Sequence, residues 1–289
     1  MGRWAVRISY DHHREFVVPV FEGIGRRRLN LLGKDYSYDQ KITFSSRTEN
    51  GVGLTTNAVK KGGLYIGDIA SQYKYKNTTF DVKVDTESNV SSTVTLEEFL
   101  PFTKAVGTFK LPDYSSGKLE VQYFHDHASV AGAVALKHSP TVDLSATVGA
   151  HGIAFGAEAG FDTSSGAFTK YNAGLSLKKP DYIVSILLAD KGDTLRASYV
   201  HHLDGKQKSA AVAEITRKFS TNENTLTVGS LYELDSLTSV KTKLNNGGKF
   251  GALLQHQLRP NNVLTISGEF DTKALDKKPR FGLALALKP

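Results

Sequence analysis

Large apolar residues recur at every second position along most of this chain, and the last ten residues, RFGLALALKP, show the pattern plainly. Phe281, Leu283, Leu285 and Leu287 alternate there with Gly282, Ala284 and Ala286. A two-residue period sends successive side chains to opposite faces of a β-strand. Leu119, Val121, Tyr123 and His125 oppose Lys118, Glu120, Gln122, Phe124 and Asp126 in the same way, and Leu264, Ile266, Gly268 and Phe270 oppose Val263, Thr265, Ser267, Glu269 and Asp271. In Ala167–Lys178 the split sets Ala167, Thr169, Tyr171, Ala173, Leu175 and Leu177 against Phe168, Lys170, Asn172, Gly174, Ser176 and Lys178; after its first residue pair one face is apolar and the other mostly polar. Turn chemistry punctuates these segments, at Glu49-Asn50-Gly51, Lys61-Gly62-Gly63, Ser115-Ser116-Gly117, Ser164-Ser165-Gly166, Lys191-Gly192-Asp193, Asp204-Gly205, Asn246-Gly247-Gly248 and Pro260-Asn261-Asn262.

Eighteen or nineteen such segments fit between Gln40 and Leu287. A sheet with that many short-looped antiparallel strands removes its edges by closing into an up-and-down barrel. A barrel that wide cannot be filled by side chains, so its interior is water and its apolar face looks outward into lipid. Aromatics near segment ends (Tyr65, Tyr73, Tyr123, Tyr171, Tyr182, Phe250, Phe270) suit interfacial girdles. No apolar run approaches the roughly 18 residues of a membrane helix, and the mean hydropathy of −0.27 does not exclude a membrane crossed by strands.

Before Gln40 the period changes. Phe21, Ile24, Leu31 and Leu32 recur at helical spacing, with Arg26 and Arg27 elsewhere around the wheel, which predicts one short amphipathic helix over residues 21–33 ending at Gly33. The chain thus divides into an atypical extension (1–20), an amphipathic helix with its linker (21–39) and a barrel (40–289). The helix lies on a membrane surface or folds into the lumen. In the second case Gly282, Ala284 and Ala286 leave room for it against the final strand.

Composition adds charge and removes some chemistry. With 36 Lys and Arg against 29 Asp and Glu the chain carries +7, and no cysteine is available for a disulfide or a thiolate metal site. By strand parity Lys104, Lys110, Lys170, Lys178, Arg196, Lys241 and Lys243 face the lumen, and Arg26, Arg27 and Arg28 join them if the helix is internal. Glu120, Asp126, Glu158, Glu269 and Asp271 oppose them, and the basic balance predicts a weak anion preference. The histidine pairs His12-His13, His125/His127 and His201-His202 lack acidic partners at metal-site spacing, and Gly247-Gly248-Lys249 is followed by Phe250 where a P-loop needs Ser or Thr. No catalytic constellation, cofactor motif or metal site is legible, and nucleic acid is not an expected physiological ligand.

From Tyr232 the sequence reads YELDSLTSVKTKLNNGGKFGALL, which resembles the signature of the eukaryotic mitochondrial porins, the voltage-dependent anion channels. The match runs through Tyr232, Asp235, Ser236, Thr238, Thr242, Lys243, Leu244, Asn245, Asn246, Gly251, Ala252 and Leu254. SGKLEVQY, TNENTLTVGS and RFGLALALKP resemble plant members, and the likeness runs from about Phe21 to the end. The resemblance implies an all-β fold: a transmembrane antiparallel barrel of about 19 strands, the number this family is known for, with a short helix in the lumen. It also implies parallel closure of the first and last strands, near Lys41 and Phe281. It further implies a voltage-gated channel of the mitochondrial outer membrane that passes ATP, ADP, phosphate and inorganic anions. A C-terminal sorting signal of polar residue, glycine and two spaced hydrophobics is matched by Arg280, Gly282, Leu285 and Leu287.

Two departures stand out. Residues 1–20 match nothing in the family and carry Asp11 and Glu15, unlike an acid-poor transit peptide, so they read as an alternative start or a gene-model error; Met1-Gly2 also lacks the Ser or Thr of a myristoylation site. Some animal relatives carry a membrane-facing Glu where this chain has Val82, so regulation through that carboxylate does not carry over. Membrane lipid and small anionic metabolites, nucleotides included, are the expected partners, together with homo-oligomerisation through the outer face. A protein-conducting translocase pore and a soluble all-β protein stand as the alternatives.

Overall fold

The computed structural model describes residues 21–24, 26–204, 208–274, 276 and 278–288; the extension 1–20 lies outside the described residues. Nineteen strands follow one another. The first seven are β1 (Gln40–Arg47), β2 (Val52–Lys61), β3 (Leu64–Tyr75), β4 (Thr78–Asp85), β5 (Val90–Glu97), β6 (Thr103–Leu111) and β7 (Lys118–Phe124). Next come β8 (Ala128–Ala135), β9 (Thr141–Ala150), β10 (Ile153–Asp162), β11 (Ala167–Lys178), β12 (Tyr182–Ala189) and β13 (Thr194–His202). The last six are β14 (Ala210–Lys218), β15 (Glu223–Glu233), β16 (Thr238–Asn245), β17 (Lys249–Arg259), β18 (Asn262–Asp271) and β19 (Arg280–Leu287). Consecutive strands pair antiparallel, while β1 pairs parallel with β19, Gln40–Phe44 alongside Leu283–Leu287. An odd number of strands in a meander brings the first and last together pointing the same way, and the closed sheet has no free edge.

Nineteen strands about 4.8 Å apart and tilted about 40° set a backbone diameter of about 38 Å. Side chains cannot span that bore, so the polar half of each strand lines water. Cross-strand hydrogen bonds knit this inner face: Thr43 Oγ1 donates to Asn57 at 2.7 Å, Asn57 Nδ2 to Asp68 at 2.9 Å, and the Ser185 and Ser198 hydroxyls meet at 2.6 Å. The outer face carries the exposed apolar groups, among them Ile42, Val82, Leu144, Leu283 and Phe281. All seven girdle aromatics share it, with Phe250 and Phe270 5.1 Å apart. Among the described residues no helix is long and apolar enough to cross a membrane; the strands present the apolar surface instead.

One strand breaks the strict alternation. Gly160 sits opposite Lys170 but Phe161 opposite Phe168, so Thr169 is an extra residue, a β-bulge in β11. Phe168 therefore turns outward and meets Phe161 edge-on at 5.6 Å, while Lys170 stays inside. A period of two carried straight through the bulge puts Phe168 on the wrong face.

The segment ahead of the barrel is a 3-10 turn (Phe21–Gly23) and a helix, α1 (Arg26–Leu32), in place of one helix over 21–33. α1 stops where Gly33 was expected to stop it, the Gly33 and Lys34 amides both donating to the Leu29 carbonyl at 3.0 Å. The turn touches β9 and β10, α1 touches β13 to β16, and residues 36–39 reach β17, β18 and β19. So short a segment reaches so many strands only from the concave side. The helix is in the lumen.

Candidate functional site: the lumen wall and the segment on it

The inner face is not polar throughout. Leu31, 3% exposed, packs with Val200, Ala210 and Val212, flanked by Leu32, Ile183 and Leu231. These wall residues are the lumen-facing members of β12 to β15, and they form an apolar bed under α1. The signal for it was in the sequence: Tyr182–Ala189 is apolar on both faces, as a strand covered on both sides must be.

Glycines continue the bed. A Cβ on Gly156 would strike Phe21 and Ile24, one on Gly174 would press Ile24, and one on Gly229 would strike Leu32. Further along, Tyr36 lies over Gly251, and the Ser37 carbonyl fills the space a Cβ on Gly282 would need. The helix therefore does not rest on Gly282, Ala284 and Ala286 as expected; its leucines sit on β13 to β15, and only the linker reaches the last strand. The reason is chemical, because α1 needs an apolar partner and β13 to β15 supply one.

Charges pin the segment at both ends. Arg28, 6% exposed, makes an ion pair with Glu214 of β14. Burial pushes its guanidinium down to about 10 and neighbouring Arg196 adds to the shift, yet at neutral pH it remains a cation. At the other end Lys241, 8% exposed, donates to the Asn30 and Lys34 carbonyls at 3.4 and 3.5 Å and to Asp35 at 3.3 Å. Lys243 donates to the Leu32 carbonyl at 3.3 Å and stands 4.0 Å over the Tyr36 ring. Two ammonium groups thus meet carbonyls that α1 leaves without helical partners, where a positive charge is favoured. Burial raises Tyr36 to about 12 and, helped by a 2.7 Å bond to Glu269, raises Tyr38 as well, so both phenols stay neutral.

The expected lumen cations differ in their surroundings. Arg28 on the segment and Lys241 and Lys243 beneath it act as anchors. Arg196 stands beside Arg28, and Lys170 is held between Asp143 and Glu158 at 3.6 Å from each. Lys104, Lys110 and Lys178 share the lumen face by register and, like exposed Arg26, make no ion pair among the described residues. The side chain of Arg27 lies outside the described residues. Several lumen acids, by contrast, are paired: Asp68 with Lys83, Glu97 with Lys74, Glu120 with Lys118. Of the four residues expected to form a sorting signal, Arg280 and Gly282 face inward, while Leu285 and Leu287 face outward beside Ile42 and Phe44. No group of three metal-ligating side chains occurs among the described residues.

A closed, odd-stranded barrel with a basic segment on its inner wall is a specific arrangement, and the sequence profile of the eukaryotic porins matches residues 17–282. The chain belongs to the eukaryotic porin family. Among its relatives, the mitochondrial outer membrane protein porin 5 of Oryza sativa subsp. japonica is 63% identical over 270 residues, covering 93% of this chain and 98% of its own. Porin 2 of Arabidopsis thaliana is 60% identical and the porin of 34 kDa of Solanum tuberosum 48%, with the same coverage of each chain. This porin is a channel-forming barrel of the mitochondrial outer membrane, and the three relatives named above are plant porins. Val82, on its outer face opposite Ser71 and Ser92, puts no carboxylate toward the lipid at that place.

Proposed function

We propose that this porin passes small anionic metabolites, ATP, ADP and phosphate among them, by diffusion with a weak preference for anions. The supporting observation is the set of lumen cations without ion-pair partners among the described residues, Arg26, Lys104, Lys110 and Lys178, on a wall where Asp68, Glu97, Glu120 and Glu158 are ion-paired. In a bore this wide an ion keeps its hydration shell, and the sign of the lining charge biases which ion enters. Lys104 and Lys110 lie on the part of the wall, β1 to β8, that residues 21–39 do not cover.

Voltage-dependent closure belongs to the same proposal. Each unit charge moved across the field is worth about 2.3 kcal/mol per 100 mV, so a few wall charges suffice to bias two states. The wall of β1 to β8, on which no second layer packs among the described residues, is the part least restrained.

Planar-bilayer recording tests the proposal. The wild-type protein should give a large conductance that falls at higher voltage, with a reversal potential on the anion side in a salt gradient. Lys104→Glu with Lys110→Glu should carry that potential toward the cation side. Unchanged selectivity in the double variant would remove these lysines from the mechanism, and blockade by presequence-like peptides would favour the protein-conducting reading.

A further inference from the structure

The β1–β19 seam is the weakest pairing in the barrel on physical grounds. It comprises five residue pairs, against eight between β1 and β2, and it is parallel, which is slightly less stable per residue. No turn joins its strands, so nothing local fixes their register; every other pair is tied by a hairpin.

Residues 36–39 cross the lumen side of that seam before the chain becomes β1. The Ser267 hydroxyl of β18 donates to the Ser37 carbonyl, and the Tyr38 hydroxyl donates to Glu269 of β18 at 2.7 Å. The Leu283 amide of β19 donates to the Asp39 carbonyl at 3.2 Å, one residue before the parallel ladder opens at Gln40. Beneath them Gly282 is the residue that permits the crossing, since any side chain there would occupy the position of the Ser37 carbonyl. Backbone, not a flexible side chain, fills that space.

We infer that Ser37, Tyr38 and Asp39 form a clasp that sets the register of the closing seam, and that Gly282 is required by this clasp independently of any role in sorting. The clasp holds the last residues before β1 against β18 and β19, so that along β19 Gln40 meets Leu283 and no other residue of that strand. With Tyr36, which lies against Lys243, these residues tie the helix anchors on β16 to the seam. This inference does not depend on what the pore conducts.

The absence of native cysteine makes the test direct. Full-length protein carrying Lys41→Cys and Ala284→Cys, register partners on the lumen face, is refolded in detergent without insertion machinery and oxidised. A second pair, Lys41→Cys with Ala286→Cys, reports a slip by two residues. With wild-type Gly282 the first pair should crosslink efficiently and the second poorly. Gly282→Ala should lower the first yield several-fold or raise the second, whereas Gly268→Ala, outward-facing with only ordinary contacts, should change neither. Tyr38→Phe with Ser267→Ala, which leaves the backbone path free, should give a smaller loss in the same direction. A Gly282→Ala protein that crosslinks and melts as wild type would overturn the clasp and leave the glycine a sorting residue only. If Gly282→Ala does not refold, an unchanged first yield in the Tyr38→Phe, Ser267→Ala protein overturns it equally.

Discussion

Arg28 and Glu214 show how a buried charge is made tolerable on a lumen wall. Removing the carboxylate while keeping the shape, Glu214→Gln, leaves Arg28 buried beside Arg196 with no counter-charge, a loss typically of about 3 kcal/mol or more. Disulfide trapping of Leu31→Cys with Val212→Cys should then fall while the strand content by circular dichroism holds, and adding Arg196→Gln should restore part of the yield. Loop carboxylates work differently. Asp193 is held below the usual carboxylate range by the Ser220 hydroxyl and amide, both donating at 2.7 Å, and Asp235 by the Leu237 amide at 2.7 Å and the Thr238 hydroxyl. A depressed carboxylate stabilises the folded loop fully above its unfolded value, about 3.9, and loses that contribution as pH falls through the lower folded value. Hydrogen exchange at the Ser220 and Leu237 amides should show constant protection from pH 7 to 5 and a loss below about 4; protection unchanged at pH 2 would contradict this.

At the scale of elements, the bulge in β11 explains why a strand with a misplaced phenylalanine still fits. Thr169 packs its hydroxyl against Gly160, which has no Cβ to refuse it, and the extra residue lets Phe168 and Lys170 keep opposite surroundings. Deleting Thr169 should preserve both orientations, because strict alternation then sends Phe168 out and Lys170 in. The deletion variant is expected to refold with the Phe161 and Phe168 rings still in contact, by aromatic NMR contacts; loss of that pair would mean the bulge itself shapes the strand. Alternation alone revealed most of the strands, since most have a lipid face and a water face; β12, covered on both sides, is apolar on both. It hid the bulge, because one inserted residue reads as a single anomaly at a segment's end.

For the whole molecule the decisive claim is orientation. Spin labels at Leu283 and Ala284, neighbours in β19, should report hydrocarbon at the first and water at the second. Labels at Lys241 and Val240 serve less well, because Lys241 is buried under the N-terminal segment and would read as dry on either view. Among the described residues that segment lies over β9 to β19 and leaves β1 to β8 untouched.

By itself the sequence determined the strand count to within one, the outward placement of apolar groups and the existence of a short amphipathic segment ending at Gly33. Each of these follows from local periodicity and from lipid forbidding unpaired backbone. Only the tertiary structure decided that Lys241 and Lys243 anchor a helix instead of lining free water, that Arg28 meets Glu214, and that Gly156, Gly229, Gly251 and Gly282 are one bed. Those partners lie far apart along the chain, and only closure of the barrel brings them together; a glycine or lysine on a lumen face looks the same in the sequence whether water or a helix covers it.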